Sequence, residues 1–132
     1  MVRTKARENA FLLLFQSSFD GADISDILSA NAEVGEIETD EFCEKLISGV
    51  ADNKDEIDAV MEKHLKNWKK ERISKTALTV LRMAIYEMCF CDDVDDAVAI
   101  SQGVELMKKY DDEKGASFVN GILGSVSRDK NE

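Results

Sequence analysis

The sequence predicts an all-α protein, a compact bundle of about seven helices. Helix breakers are scarce, because the 132-residue chain contains no proline and only seven glycines. Apolar residues recur at steps of three and four, the spacing of one buried helix face, and strict apolar–polar alternation of the strand type is hard to find. A chain of this length is expected to form one domain, or two small halves that share a core.

Four helices are predicted in the first half of the chain. The first runs from Thr4 to about Ser18 and ends at Asp20-Gly21, and the second spans about Asp23 to Ala32. Thr39 or Asp40 caps the third, because short polar side chains accept hydrogen bonds from the first turn of a helix. After a short break, one face of the fourth is predicted to carry Ile57, Val60, Met61, His64, Leu65 and Trp68.

The stretch from Ser74 to Cys91 is the predicted central helix. Ser74 can cap its first turn, and apolar residues follow at helical spacing. Few polar side chains interrupt the stretch, so we expect neighbouring helices to bury it on more than one side. Arg82 precedes Tyr86 and Glu87 by about one turn, and a local pairing with them is expected.

Two more helices are predicted after the acidic segment Asp92–Asp96. This segment lacks the glycine and glutamate that an EF-hand loop needs, so its carboxylates are expected in turns and N-caps. The sixth helix ends near Tyr110, and the seventh spans about Ala116 to Ser127, followed by a loose tail. The expected buried face of the sixth helix consists of Ala97, Ile100, Val104 and Met107.

The net charge of −10 is distributed unevenly. Acids dominate the segment from Asp20 to Asp58, whereas Arg3, Lys5 and Arg7 are the only charged residues among the first seven. These three cations lie at the positive end of the first helix dipole, so they do not stabilise the helix. We therefore expect them to bind an anionic partner. The alternative is an ordinary frayed basic terminus. A second basic run, residues 63–75, would extend this surface if the fold brings it nearby, and is otherwise typical of a solvated face.

No arrangement of residues favours catalysis, a metal or a cofactor. The one histidine, His64, falls on an apolar face, and local spacing places no serine, cysteine or carboxylate beside it. Cys43, Cys89 and Cys91 lack the spacing of a zinc site or a disulfide framework, which fits a reducing compartment. No stretch reaches the roughly 18 apolar residues of a membrane span, and the N-terminus is too polar for a secretory signal, so a cytoplasmic binding protein without membrane contact is expected.

Short motifs along nearly the whole chain resemble the NusB family of bacterial transcription antitermination factors. The order and spacing of these pieces carry the resemblance, most of all the pieces around Ala84 and Asn120. In chain order they are Arg7-Glu8 with Ala10 and Phe15-Gln16; Gly49-Val50, Asn53 and Ile57-Asp58; Asn67-Trp68; Leu81-Arg82 with Ala84-Ile85-Tyr86-Glu87; Ala99-Ile100 with Val104-Glu105-Leu106; and Phe118-Val119-Asn120-Gly121-Ile122-Leu123.

The resemblance implies one RNA-binding domain, residues 1–132, made of two helical subdomains. It implies binding to the boxA element of ribosomal RNA leader transcripts together with NusE, a protein that also serves in the small ribosomal subunit, in a complex that joins RNA polymerase and prevents premature termination. Arg3, Lys5 and Arg7 match the family's arginine-rich N-terminus that contacts RNA, and Phe15 and Phe118 are aromatic candidates on that surface. For Phe118 a core position is the alternative. Some members self-associate through this surface, so homodimer formation stays open.

Two other hypotheses come from different classes of protein. In one, the acidic face between Asp20 and Asp58 binds a basic protein partner, and the chain never contacts RNA. Arg3→Glu with Arg7→Glu should weaken boxA binding under the RNA hypothesis and change nothing under this alternative. The other hypothesis, an RNA-binding domain of the kind that the family lends to ribosomal RNA methyltransferases, is disfavoured because no cofactor-binding domain follows Glu132.

Overall fold

The computed structural model describes residues 1–20, 23–66 and 68–132, and these residues form seven α-helices, one 3₁₀ turn at Lys70–Arg72 and no strand. The all-α prediction is confirmed. The predicted helix stop at Gly21 and the motif residue Asn67 lie outside the described residues. The helices are α1 Arg3–Asp20, α2 Ile24–Val34, α3 Glu41–Asp52, α4 Lys54–Glu62, α5 Lys75–Phe90, α6 Asp96–Tyr110 and α7 Glu113–Lys130.

Side-chain caps start four of the helices. The carboxylates of Asp23, Asp40 and Asp112 and the hydroxyl of Ser74 each accept a hydrogen bond from a backbone N–H in the first turn that follows. Such a cap contributes about 1 kcal/mol. At the other end of α2, Gly35 takes a left-handed backbone (φ 71°) and donates its N–H to a carbonyl of the last turn, so this position favours glycine.

Two groups of helices share one hydrophobic core. In the first group α1, α2 and α3 pack on one another, and in the second α4, α6 and α7 surround α5. Helix α5 also contacts α1 and α3, so it is the central helix that the sequence predicts. The described helices include none that is long and apolar enough to cross a membrane.

Helices α1 and α5 run antiparallel. Arg7, near the start of α1, contacts Glu87 near the end of α5, whereas Lys75 at the start of α5 donates a 2.8 Å hydrogen bond to the carbonyl of Ser18 near the end of α1. An 18-residue helix is about 27 Å long. The N-terminal cations and the basic run therefore lie at opposite ends of α1, and the two cationic surfaces do not merge.

Helix α4 is shorter than the prediction. It ends at Glu62, and His64, Leu65 and Trp68 belong to the linker that leads to α5. Of these, Leu65 is buried, but Trp68 is 56 % exposed, so its predicted inward position is wrong. The apolar spacing continues past Glu62 because the linker folds as separate short turns, and Lys66 there adopts a positive φ of 54°.

The buried face of α6 also differs from the prediction. Ala97 is exposed, and Ile100 and Val104 are only half-buried. The face is rotated because α6 packs on both α5 and α7, and Gly103 lets it come close: a Cβ there would lie 3.3 Å from Val80 Cγ1. The residues that α6 buries are Ala99, Gly103, Leu106 and Met107.

Helix α7 is longer than predicted at both ends. It begins at Glu113 and continues to Lys130, through residues that were expected to form a loose tail. The Nζ of Lys130 donates hydrogen bonds of 2.6 Å to the carbonyl of Met88 and to Oδ1 of Asp96. These bonds hold the C-terminal turn against the end of α5 and the start of α6.

Candidate nucleic-acid interface

The prediction that Arg7 lies with Arg3 and Lys5 on an exposed cationic surface is wrong. Its Nε donates to Glu87 Oε1 at 2.9 Å and its Nη2 to the same oxygen at 2.7 Å. Arg7 is 4 % exposed and Glu87 2 % exposed. Burying an unpaired charge is costly, so each side chain needs the other. The guanidinium therefore joins α1 to α5 and does not face solvent.

Arg82 pairs with Asp58 of α4, and the expected local pairing with Tyr86 and Glu87 is wrong. Its Nε lies 2.8 Å from Asp58 Oδ1 and its Nη2 2.9 Å from Oδ2, and Lys70 Nζ lies 3.3 Å from Oδ2. Burial raises the pKa of Asp58, but hydrogen bonds and charge from Arg82 and Lys70 outweigh burial and lower the pKa. This cluster joins α4 and the linker to α5.

Arg3 and Lys5 are the N-terminal cations that reach the surface. Each side chain is more than half exposed, with Arg3 Nη2 3.1 Å from Asp93 Oδ2 and Lys5 Nζ 3.2 Å from Glu8 Oε1. Exposed ion pairs contribute little to stability. A phosphate can therefore replace the carboxylate beside either cation at small cost.

Glu8 lies at the centre of the contact between α1 and α6. Its carboxylate accepts hydrogen bonds from Lys109 Nζ and from Tyr110 Oη, the latter at 2.7 Å. These bonds, with that of Lys5, lower the pKa of Glu8 to about 2. The carboxylate stays ionised at neutral pH and holds Lys5 and Lys109 together at the surface.

A groove lies between α1 and α6, which we call the α1–α6 groove. Its volume is about 430 Å³, and Thr4 and Glu8 line one side while Lys108 and Lys109 line the other. Lys108 forms no ion pair with any residue that the structure describes. Glu8 and Glu105 also line the groove, so its two lysines stand beside an equal number of acids. Sequence reasoning missed these two lysines because α6 is separated from α1 by most of the chain.

Phe15 lies further along α1 and is not among the residues that line this groove. Its half-buried ring stacks on Phe11 at a centroid distance of 5.4 Å, and Phe11 contacts Tyr110 at 5.0 Å. Along α1, Phe15 is about 18 Å from Arg3. The guanidinium of Arg3 lies instead 4.6 Å from the ring of Phe42, so Arg3 and Phe15 mark two separate places on the surface.

Phe118 lies in the first turns of α7, half-buried, and its ring meets Trp68 edge to face with centroids 5.2 Å apart. Its ring partner Trp68 belongs to the linker, whereas Phe15 stacks on Phe11 of α1. The predicted aromatic residues therefore occupy different parts of the molecule, and Trp68 is a surface residue that the helical spacing concealed. The lysines on either side of Trp68 in the sequence are the signal from which its exposure could have been predicted.

His64 has polar partners that local spacing could not reveal. Its Nδ1 lies 2.8 Å from Ser125 Oγ and its Nε2 3.4 Å from Asp129 Oδ2, both on α7. A serine–histidine–aspartate triad holds the histidine with a buried carboxylate. The side chain of Asp129 is 61 % exposed, so these contacts join the linker to α7 and do not form such a triad.

The described residues contain no group of three or more histidine, cysteine and acidic side chains placed to hold a metal ion. All three cysteines are free thiols, of which Cys43 is buried and Cys89 is exposed. Burial raises the pKa of the Cys43 thiol to about 11, so this thiol is unreactive near neutral pH. The arrangement offers grooves lined by both cations and acids, together with aromatic rings, which are features of a binding surface.

Comparison with known proteins matches this chain along nearly its whole length. A model of the NusB family matches residues 4–128. The transcription antitermination protein NusB of Listeria welshimeri is 39% identical over 127 residues, covering 96% of this chain and 97% of the relative. The protein of the same name from Clostridium botulinum (strain Loch Maree) is 38% identical over 140 residues, covering 96% and 99%.

Solved structures share the fold. Crystalline NusB from T. maritima superposes with a TM-score of 0.85 at 30% identity, covering 97% of this chain and 92% of that chain. A crystal structure of antitermination factors NusB and NusE in complex with dsRNA contains a chain with a TM-score of 0.83 at 29% identity, covering 96% of both chains.

Proposed function

Because the chain belongs to the NusB family, we propose that it is a transcription antitermination factor that binds RNA together with a NusE protein. Its RNA is the unpaired boxA element of ribosomal RNA leader transcripts, and the complex acts with RNA polymerase to prevent premature termination. The observation that carries the proposal is the full-length likeness to a chain solved with NusE and double-stranded RNA.

The proposed RNA surface starts at Arg3 and Lys5 and follows the α1–α6 groove. Its cations bind phosphates, and the rings of Phe15 and Phe118 stack on bases, the usual way in which single strands are bound. Arg7 contributes indirectly. Its buried pair with Glu87 fixes the start of α1 on α5 and so positions Arg3 and Lys5.

NusE is needed for tight binding in this proposal. The chain has a net charge of −10, so a few surface cations attract RNA only weakly and in a salt-sensitive manner. A second protein that contacts both the chain and the RNA adds affinity that this surface lacks. The chain alone should therefore bind boxA weakly, and the pair should bind it tightly.

A gel-shift experiment tests the proposal with boxA RNA and a scrambled RNA, with and without NusE, at two salt concentrations. Arg3→Gln and Lys5→Gln should each weaken boxA binding and reduce the logarithmic salt slope by about 0.7 per lost phosphate contact. Lys54→Gln is the matched control, because Lys54 is exposed at the start of α4 and forms no ion pair within the described chain.

Two results would contradict the proposal. If the chain with NusE binds boxA no better than scrambled RNA at both salt concentrations, boxA recognition is wrong. If NusE binds the chain and no RNA joins the pair, the alternative of an acidic protein-binding face is favoured. Charge reversal is informative at Arg3 but not at Arg7, since Arg7→Glu would bury two carboxylates side by side.

A further inference from the structure

Glu8 is an acidic residue on the surface proposed to bind RNA, and it contacts two lysines and a tyrosine. Its Oε1 accepts a 3.2 Å hydrogen bond from Lys5 Nζ, and its Oε2 accepts from Lys109 Nζ and, at 2.7 Å, from Tyr110 Oη. One carboxylate thus joins a side chain of α1 to two side chains in the last turn of α6. Two ammonium groups face this single acid, so the group as a whole is positively charged.

The carboxylate of Glu8 lies beneath the two ammonium groups. The side chain of Glu8 is 12 % exposed, whereas those of Lys5 and Lys109 are 59 % and 60 % exposed. A phosphate that approaches this surface therefore meets the lysines before the acid. Each ammonium group has three N–H donors, so a lysine that donates to Glu8 keeps donors for a phosphate.

Glu8 also fixes the last turn of α6 relative to α1. The ring of Tyr110 lies against Phe11 of α1, with the centroids 5.0 Å apart, and its hydroxyl reaches Glu8 one turn earlier in α1. Lys109 Nζ lies 5.6 Å from the centroid of the same tyrosine ring. The position of Lys109 relative to Lys5 is therefore set by contacts with α1, and Glu8 supplies the polar ones.

An acid on a phosphate-binding surface has two opposite effects on affinity. Its charge repels phosphates, and the repulsion between single charges about 8 Å apart in water corresponds to about 2-fold in affinity, less with salt. Its hydrogen bonds hold the lysines in place before RNA arrives. A mobile lysine side chain loses about 2- to 12-fold in affinity when binding orders it. Two lysines depend on Glu8, so positioning outweighs repulsion.

We infer that Glu8 is a positioning residue of the RNA surface: by holding Lys5 and Lys109 in one arrangement, this buried acid strengthens the binding of a polyanion. Glu8 acts through the two lysines and does not itself contact RNA. This inference rests on the proposed function, and it predicts that removing a negative charge from the surface weakens RNA binding.

Glu8→Gln and Glu105→Gln form a matched pair, because each removes one negative charge from the α1–α6 groove. Glu105 is exposed and forms no ion pair with any residue that the structure describes. The affinity of labelled boxA RNA for the full chain with NusE is measured by fluorescence anisotropy. Glu8→Gln should weaken binding about 2- to 12-fold, whereas Glu105→Gln should leave it unchanged or strengthen it by up to about 2-fold.

A second comparison shows whether Glu8 acts through the lysines. Lys5→Gln with Lys109→Gln removes both ammonium groups, and Glu8→Gln is then added to this double variant. Because no lysine is left to position, the added change should weaken binding no further.

Tyr110→Phe provides a test that keeps Glu8 and every charge. It removes only the hydroxyl that donates to Glu8 and retains the ring. It should weaken binding in the wild-type background, by less than Glu8→Gln, and should have no effect in the double lysine variant. If Glu8→Gln does not fold, as judged by far-UV circular dichroism, this variant decides, and an equal effect in both backgrounds would overturn the inference.

The outcomes separate this inference from the proposed function. If Glu8→Gln strengthens binding as Glu105→Gln does, the acid only repels RNA, and the inference is wrong. If Glu8→Gln weakens binding equally with and without the two lysines, it acts on the fold, and the inference is again wrong. The proposed function stands in both cases. If the wild-type chain with NusE does not bind boxA RNA, the inference and the proposed function are both overturned.

Discussion

Replacing Arg7 with methionine removes one charge of the buried pair and leaves the carboxyl of Glu87 in the core without its partner. The structure determines the size of the effect. The guanidinium donates three hydrogen bonds of 2.7 to 3.1 Å to the carboxylate, and both residues are almost fully buried. Breaking a buried, hydrogen-bonded pair of this kind costs about 3–5 kcal/mol. Domains are typically stable by about 5–15 kcal/mol, so Arg7→Met should be strongly destabilised.

Urea unfolding followed by far-UV circular dichroism measures this cost. Glu87→Gln should lose a similar amount, because it leaves a buried guanidinium without its counter-charge. The double variant Arg7→Met with Glu87→Met removes both charges and fills the space with apolar atoms, so it should be within about 1–2 kcal/mol of wild type. The coupling energy between the two positions should therefore be several kcal/mol.

Arg128→Met is the control, since Arg128 is an exposed arginine of α7, and its loss should change stability by no more than about 0.5 kcal/mol. The reasoning would be refuted if Arg7→Met cost no more than this control. Arg7 would then be free in solution and available to RNA, and its assignment as a residue that positions α1 would be wrong.

Two further predictions concern stability. Hydrogen bonds from Lys109 and other donors lower the pKa of Glu8 from 4.5 to about 2, so the stability that Glu8 contributes is complete above about pH 4.5 and is lost as the pH falls toward 2. Glu8→Gln should flatten the pH dependence of urea unfolding over this range, and an equally steep loss would contradict this. Gly49→Ala places a Cβ 2.1 Å from Tyr86 Cζ and should cost about 1–3 kcal/mol, whereas Gly121→Ala, with open space around it, should be neutral or stabilising by up to about 1 kcal/mol. Equal thermal midpoints for the two glycine variants would show that the contact with Tyr86 is wrong.

The helices could be predicted because their signals are local. Ser74 and Asp40 cap the helices that the sequence assigned to them, and the apolar spacing of α5 shows that it is covered on several sides. The rotated face of α6 could not be predicted in the same way. Its apolar stripe is wide, and the part that is buried depends on how closely Gly103 lets α5 approach.

The charged pairs could not be predicted because their members are distant in sequence. Arg7 and Glu87 are 80 residues apart, and Arg82 and Asp58 are 24 apart. Sequence spacing shows only the pairings available within one helix, and it therefore matched Arg82 with the wrong acid. A positive charge near the N-terminus was visible, but the burial of Arg7 depends on α5 and α6 covering α1.

Trp68 shows how a correct pattern can give a wrong position. Its spacing from Ile57, Met61 and Leu65 fits one helix face, and Leu65 is indeed buried. The pattern does not show that the helix ends at Glu62. Once the linker leaves the helix, the same spacing no longer describes a common face, and the tryptophan lies at the surface among lysines.

Photo-crosslinking tests most directly where RNA lies on this chain. The complex of the chain with NusE and 4-thiouridine-substituted boxA RNA is irradiated and digested, and the crosslinked peptides are identified by mass spectrometry. We predict crosslinks along α1 near Phe15, at Tyr110 and at Phe118. Crosslinks confined to NusE or to the acidic helices α2 and α3 would contradict the proposed RNA surface.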